Sequence, residues 1–276
     1  MPLPSFICVG AQKAGTTWLF QMLSQNPSVW LPPLKEVHFF DVTNPSDNAK
    51  NAKREKILKL ARRAEKHGKG KGSLKDGGAF LKSLAGDDIM SEDWYRRLFS
   101  HPDSEGKISG EITPAYLVLG EDKLTYMKSV LPSAKIIILV REPRSRNISE
   151  IKMAAARSKI EELAETDWKN ILRGIRKRDR GNYEQAIPLW QKHYGPDNLL
   201  ILPFSQLKTD PASMIQTIET FIGAAPFKYK ALTQAVHKTK EIVVPDWVIE
   251  KATAIAKPQQ AYLIDAFGQE FYEKTK

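Results

Sequence analysis

A lysine-bearing loop between two glycines is the first group of residues whose spacing could perform chemistry. Gly10 and Gly15 have the separation of the P-loop pattern G-x-x-x-x-G-K-[ST], and two threonines follow the second glycine. The loop joins an apolar run at residues 6–9 to a segment with helical spacing of apolar residues. Such a loop directs backbone N–H groups and the positive end of a helix dipole toward a phosphate. The sequence therefore predicts an anion-binding loop at residues 10–17.

Two departures from the nucleoside-triphosphatase pattern indicate the kind of anion. Thr16 stands where a kinase or NTPase has the P-loop lysine, and the cation of this loop is Lys13, three positions earlier. The strand predicted at residues 135–140 is followed by Arg141, where an NTPase has an aspartate that holds Mg²⁺. An arginine there repels a metal ion and attracts a phosphate. The two departures predict an anionic nucleotide bound without Mg²⁺, by cations and backbone N–H groups.

A carboxylate and an imidazole two residues apart form the second candidate group. Glu36 and His38 belong to the segment Lys-Glu-Val-His-Phe-Phe-Asp at residues 35–41. If this segment is extended, alternate residues share one face, and the two side chains could serve as a general base and its partner. They could equally be a surface carboxylate paired with a lysine and a packing histidine, so both interpretations stay open.

Alternating strands and helices would position these residues. The chain has 276 residues, of which 42% are hydrophobic and 27% charged, and this composition excludes a disordered chain, a collagen and a coiled coil. The patterns predict strands at 6–9, 107–113, 135–140 and 199–202, and helices at 18–23, 92–99, 143–157, 183–194, 211–222 and 246–272. This order predicts an α/β protein with a P-loop-type three-layer α/β/α fold and a mostly parallel central sheet.

A basic segment interrupts the pattern. We expect a single domain over residues 1–276 with an insertion at about 44–91. Residues 44–75 contain eleven Lys and Arg against three Asp and Glu, and this excess is most of the net charge of +10. The glycines at 68–78 predict a flexible loop. The insertion could be a solvated helix and loop, a dock for an anionic acceptor, or a patch for nucleic acid or a membrane surface. No aromatic residue interrupts the lysines between 50 and 75, so we expect no nucleic-acid partner.

The anion motifs resemble those of sulfotransferases that use 3′-phosphoadenosine 5′-phosphosulfate (PAPS). Residues 10–17 resemble the 5′-phosphosulfate loop of that family, and Arg141 with Ser149 resembles its 3′-phosphate motif. The resemblance implies PAPS as co-substrate, 3′-phosphoadenosine 5′-phosphate (PAP) as product and no metal. It implies that the nucleotide is bound by Lys13, Ala14, Gly15, Thr16, Thr17, Arg141 and Ser149.

The resemblance extends to the heparan sulfate glucosaminyl 3-O-sulfotransferase and N-sulfotransferase branch. Residues 35–41 resemble the acceptor motif of this branch, and residues 111–116 resemble its Glu-Lys-Thr-Pro-Ala-Tyr segment, with Ile112 in place of the lysine. The resemblance implies Glu36 as the base, assisted by His38, with Lys13 neutralising the leaving phosphate. It implies acceptor binding by Lys35, Glu36, His38, Thr113, Pro114 and Tyr116. Lys238 or Lys240 would replace the Lys-Gly-Arg-like loop with which the branch covers its nucleotide.

These observations predict an enzyme that moves a sulfuryl group by metal-independent in-line transfer to a hydroxyl or amine of a carbohydrate or glycoconjugate. The acceptor could be anionic, and a small molecule is also open. The alternatives are a P-loop nucleotide kinase and a non-catalytic polyanion-binding protein. The single cysteine, Cys8, and the lack of a signal-peptide pattern predict a cytoplasmic location. No apolar run reaches the roughly 20 residues that span a bilayer, so no membrane span is expected.

Overall fold

A parallel sheet of five strands forms the centre of the computed structural model, which describes residues 3–42, 44–67, 78–158, 160, 162–233 and 242–276. The strands are β1 Phe6–Gly10, β2 Val29–Trp30, β3 Ile108–Ile112, β4 Lys135–Val140 and β5 Leu199–Pro203. Their order across the sheet is β2-β3-β1-β4-β5, and every neighbouring pair is parallel. The parallel α/β fold predicted from the sequence is confirmed.

Helices cover the sheet, which explains why its central strands are apolar throughout. All five residues of β1 are buried, as are five of the six in β4, because a parallel strand with helices on both faces has no side in water. The helices are α1 Thr16–Leu23, α2 Asp47–His67, α3 Ala79–Ser83, α4 Glu92–Arg97, α5 Glu121–Val130, α6 Pro143–Ser158, α7 Glu165–Arg178, α8 Tyr183–Tyr194, α9 Gln206–Thr209, α10 Pro211–Ile222 and α11 Asp246–Glu273.

Each predicted strand and helix has a counterpart in this set, and the structure adds elements that the patterns did not predict. Strand β2 has only two residues, which is too short for a periodic signal. Helices α5 and α7 were also not predicted, although α7 buries Trp168, Leu172 and Ile175 at helical spacing. The last helix is not continuous, because Gly268 has a φ of 84° and separates its final turn from the rest.

The segment predicted to be a basic insertion folds in part as the long helix α2, which packs against the core of the protein. Ile57 and Ala61 of α2 are fully buried, whereas Lys59 and Arg63 on the same helix are exposed. The short helix α3 packs against α2, and Gly78 at its start lies so close that a Cβ there would be 2.8 Å from the Ala61 carbonyl oxygen. The glycine-rich loop predicted at residues 68–78 falls almost wholly outside the described residues. No helix in the described part of the chain is long and apolar enough to cross a membrane.

Candidate active site

The loop between β1 and α1 lies at the carboxyl edge of the sheet, and its two glycines are required by its shape. Gly10 has a φ of 141°, and a Cβ on it would lie 3.0 Å from the Pro114 carbonyl oxygen. Gly15 has a φ of 91°, and a Cβ on it would lie 2.5 Å from Leu207 Cδ1. Gly15 precedes α1, whose N-terminus has no side-chain cap and no acidic residue in its first turn. The first N–H groups of this helix and its dipole therefore suit an anion.

The loop contains one cation, Lys13, and a second cation, Arg141, lies beside it. The Lys13 carbonyl accepts a hydrogen bond from Arg141 Nη1 at 2.9 Å, so the arginine at the end of β4 is tied to the loop. The Arg141 guanidinium also lies over the Phe204 ring, 4.6 Å from its centroid. Within the described residues no carboxylate comes within ion-pair distance of Lys13 or Arg141. Burial, followed by the charges of Arg141 and Arg157, lowers the pKa of Lys13. Cations that repel one another in this way suit a ligand with several negative charges.

Three other residues, Ser149, Lys238 and Lys240, are predicted to bind the nucleotide. Ser149 lies half-buried on α6, two turns beyond Arg141. Glu142, next to Arg141, accepts hydrogen bonds from the N–H groups of Arg144 and Ser145 at 2.9 and 2.7 Å, so its carboxylate caps α6. Lys238 and Lys240 lie outside the described residues. The roles assigned to the nucleotide residues stay predictions.

A chain of polar contacts joins the anion loop to the segment at residues 35–41. Lys35 Nζ donates to Thr17 Oγ1 at 2.9 Å and to Glu36 Oε1 at 3.3 Å. The other Glu36 oxygen lies 3.6 Å from His38 Nε2, and His38 Nδ1 lies 2.8 Å from Asp41 Oδ2. All four side chains keep between 20% and 32% of their surface exposed, so they are open to a ligand. The structure thus brings the predicted base and its partner next to the predicted anion site.

Neighbouring charges and hydrogen bonds shift the pKa values of Glu36 and His38. The His38 contact, followed by the Lys35 charge, lowers the pKa of Glu36 to about 2 against the effect of burial. Asp41, and then Glu36, raise the pKa of His38. At neutral pH Glu36 is therefore a carboxylate, which is the form that can accept a proton. His38 lies between two carboxylates that stabilise its charged form.

Residues 35–40 do not meet the condition of an extended segment under which Glu36 and His38 would share a face. Glu36 and His38 have φ values of 60° and 54°, in the left-handed region, which costs a non-glycine residue roughly 1–3 kcal/mol. Their side chains still meet, but a turn brings them together rather than the alternation of a strand. The turn is held by groups distant in sequence. Thr113 Oγ1 accepts from the Val37 N–H at 2.9 Å, and the Tyr116 hydroxyl accepts from the Phe39 N–H at 2.8 Å.

The residues predicted at 113–116 lie beneath this turn. Thr113 and Tyr116 are fully buried, and Pro114 is also buried. Their observed contacts are with the protein, and the polar atoms of Thr113 and Tyr116 bind the backbone of residues 37–40. Direct contact of these three residues with an acceptor stays a prediction.

Three charged residues of this site were not singled out from the sequence. Asp41 binds His38 and could have been found, because it follows in the same segment at a spacing of three. Glu111 is 1% exposed, and its burial raises its pKa, while Thr113 Oγ1 donates to it at 2.9 Å. Lys53 of α2 is buried at the back of the turn and donates to the Val37 carbonyl. No local signal distinguishes Lys53 from the other lysines of its helix.

The fold and the site together define an α/β protein with a P-loop-type anion loop that adjoins a carboxylate–imidazole pair. A family model described as the sulfotransferase family matches residues 4–228, so the chain belongs to this family of transferases. The resemblance noted from the motifs is confirmed.

Known relatives agree with this membership. The chain is 25% identical over 244 residues to human heparan sulfate glucosamine 3-O-sulfotransferase 5, covering 81% of this chain and 54% of the relative. It is 25% identical over 254 residues to human bifunctional heparan sulfate N-deacetylase/N-sulfotransferase 3, covering 86% of this chain and 24% of that protein. The chain thus spans about half or less of the length of these relatives. A crystal structure of a sulfotransferase from Alicyclobacillus acidocaldarius superposes with a TM-score of 0.64 at 25% identity, covering 96% of both chains.

Proposed function

We propose that this protein transfers a sulfuryl group from PAPS to a hydroxyl or amine of a carbohydrate or glycoconjugate. The observation that carries the proposal is the Lys35 ammonium, which contacts both Thr17 at the anion loop and Glu36. It ties a site suited to a nucleotide anion directly to a site suited to proton removal. The relatives are named for heparan sulfate, and this name supports a carbohydrate acceptor.

The donor side binds and stabilises charge. The N–H groups at the start of α1 and the Thr16 and Thr17 hydroxyls would hold the 5′-phosphate, and Arg141 with Ser149 would hold the 3′-phosphate. In the transfer, the bond between sulfur and the bridging phosphate oxygen breaks, and charge develops on that oxygen. Lys13 would neutralise this charge, which is where a preorganised cation lowers the barrier most.

The acceptor side handles the proton. The acceptor oxygen or nitrogen attacks sulfur in line with the breaking bond, and its proton passes to the Glu36 carboxylate. His38, held by Asp41, would orient Glu36. The products are the sulfated acceptor, PAP and a proton, which Glu36 passes on to solvent. We propose that this step needs no metal ion. Lys13 and Arg141 would supply the positive charge that a metal ion would otherwise provide.

The test is an incubation of the purified chain with PAPS and heparosan oligosaccharides, with and without EDTA. One oligosaccharide is N-sulfated and offers only hydroxyls, and the other is de-N-acetylated and offers an amine. We expect the mass of one SO₃ group to be added to one of them, equally with EDTA, and PAP to be released. Wild-type protein that binds PAP but sulfates neither would refute the carbohydrate acceptor.

The alternatives give different results in the same assay. A nucleotide kinase would require Mg²⁺ and ATP and would ignore PAPS. A polyanion-binding protein would bind both oligosaccharides in a salt-dependent way, with no turnover and no change in Lys13→Met. The cytoplasmic location stays a prediction, and fractionation of cells that express the protein would test it.

A further inference from the structure

The helix of the basic insertion supplies a buried cation to the candidate active site. Lys53 is 8% exposed, although its neighbours one and two turns along α2, Lys56 and Lys59, are exposed. Its ammonium donates to the Val37 carbonyl and lies 5.8 Å from the centre of the Trp94 ring. A buried ammonium is costly unless its contacts compensate for lost hydration, so this placement requires a reason.

The Val37 carbonyl is a sensitive point of the turn. This carbonyl is part of the Val37–His38 peptide. The Val37 N–H is part of the preceding peptide, Glu36–Val37. Lys53 holds the first peptide and Thr113 Oγ1 holds the second. His38 has a positive φ, and rotation of the Val37–His38 peptide changes that angle, so this rotation would relieve strain and redirect the His38 side chain. Among the described residues, one side chain holds each of these peptides, Lys53 the first and Thr113 the second.

The charges around Lys53 match this location. Burial, followed by the charge of Lys56, lowers the pKa of Lys53 to about 8, and the carboxylates Glu111, Asp41 and Glu36 oppose the fall. The pKa values of His38 and Glu111 are both raised, and the charge of Lys53 opposes part of each rise. Lys53 therefore acts on the carboxylate–imidazole group through its charge as well as through the backbone.

We propose that Lys53 is a positioning residue for sulfuryl transfer, which holds the Val37–His38 peptide so that Glu36 and His38 face the acceptor. This inference rests on the proposed function for its kinetic consequence. It assigns a role in the site to α2, a helix whose sequence otherwise indicates only a charged surface. The anion loop at residues 10–17 has no part in this role, since Lys53 makes no hydrogen bond to it.

The test compares the wild-type chain with Lys53→Met and Lys59→Met. Methionine keeps the unbranched apolar stem beside Trp94 and removes the ammonium, and Lys59 is the matched exposed lysine of the same helix. The backbone order of residues 36–38 is measured by ¹⁵N relaxation, and PAP binding is measured by calorimetry. For Lys53→Met we expect the order parameters of these residues to fall from about 0.85 to below about 0.6. PAP affinity should stay within about twofold, because the hydrogen bond of Lys53 is to Val37 and its ring contact is with Trp94, away from residues 10–17.

The kinetic comparison adds a readout that a general loss of packing would not produce. With whichever of the two oligosaccharides accepts the sulfuryl group in the transfer assay, Lys53→Met should lower kcat by about tenfold to a hundredfold, because a misplaced base costs that much. KM for PAPS should be unchanged, and Lys59→Met should resemble the wild type throughout. Unchanged order at residues 36–38 would overturn the proposal, as would disorder spread over the whole chain. The relaxation and PAP measurements need no acceptor, so they decide on Lys53 even if the proposed activity fails.

Discussion

The two halves of the candidate site are built in different ways. The donor loop is shaped by its own residues, since Gly10 and Gly15 allow the turn and the N-terminus of α1 offers backbone N–H groups. The turn at residues 35–41 depends on partners from the segment after β3 and from α2, which bind its backbone through Thr113, Tyr116 and Lys53. A backbone anion site can therefore be encoded by one short motif, whereas the placement of a base needs side chains from far along the chain.

The donor side and the acceptor side of the site also differ in how their charges are balanced. On the donor side Lys13 and Arg141 have no carboxylate within ion-pair distance among the described residues, and burial, followed by neighbouring cations, lowers the pKa of Lys13. On the acceptor side Glu36, His38 and Asp41 already satisfy one another. The donor side thus needs an anionic ligand to balance it, whereas the acceptor side is balanced before any ligand binds. Substitutions on the two sides should separate binding of PAP from turnover.

The largest effect should come from Glu36→Gln. Loss of the proton acceptor should lower kcat by about 10²–10⁴-fold, the usual contribution of a general base. Affinity for PAP should not change, because Glu36 lies on the acceptor side. Calorimetry measures PAP binding, and turnover is measured with the oligosaccharide that accepts the sulfuryl group. The control is Glu55→Gln, which changes an exposed glutamate of α2. Equal losses of binding and turnover would contradict the division between the two sides.

Lys13→Met should follow, with a loss of about 10²–10³-fold in kcat, as for removal of one preorganised charge-stabilising group. Its unliganded melting temperature should stay the same or rise, because the lost ammonium is repelled by Arg141 and Arg157. A thermal scan without nucleotide checks this point. A clear fall in melting temperature would show that Lys13 stabilises the fold instead.

Arg141→Met should reduce recognition of the 3′-phosphate. We expect PAP binding to weaken by about 1.5–3 kcal/mol, the range for hydrogen bonds to charged groups. Binding of adenosine 5′-phosphate, which lacks the 3′-phosphate, should change little. Calorimetry with both nucleotides tests this, and Arg144→Met, an exposed arginine on the next helix, serves as the control. An equal loss for both nucleotides would place Arg141 at a different phosphate.

Asp41→Asn should act through His38. Asp41 is the largest cause of the raised pKa of His38, so its replacement should return that pKa toward the usual value. A raised folded-state pKa stabilises the protein below the unfolded value of 6.5, and this contribution is lost as pH rises through the folded value. The variant should therefore be more destabilised at pH 5 than at pH 9. NMR titration of the imidazole and unfolding at both pH values measure this, and equal destabilisation would contradict it.

Tyr116→Phe should have the smallest effect on turnover. Its hydroxyl accepts from the N–H groups of Phe39 and Phe40 at 2.8 and 3.3 Å, and the variant leaves both buried donors without it. The free energy of unfolding should fall by about 1–3 kcal/mol, the cost of an unsatisfied buried group. Urea denaturation measures the loss, and PAP binding should be retained. A variant as stable as the wild type would show that these contacts do not hold the turn.

Much of the fold could be predicted from local patterns. The apolar run of β4 and the run that forms β1 are buried as expected, because parallel strands covered on both faces must be apolar throughout. Helix α7 was not predicted because basic residues surround its apolar positions, and these positions become a buried face only when α6 and α11 pack against it. Strand β2 exists only through its pairing with β3.

In the candidate site, too, some features could be predicted from local patterns and others could not. Residue types and spacing alone indicated the anion loop, Arg141 and the Glu36–His38 pair, because a P-loop acts through consecutive backbone groups and a motif records them directly. The left-handed turn, the buried carboxylate of Glu111 and the entry of Lys53 were decided by tertiary structure. Lys53 is one of eight Lys and Arg residues on α2, and only the packing of Ile57 and Ala61 on the protein turns this one lysine inward. Helical spacing distributes charges around a helix, but the neighbours of that helix determine which charge is buried.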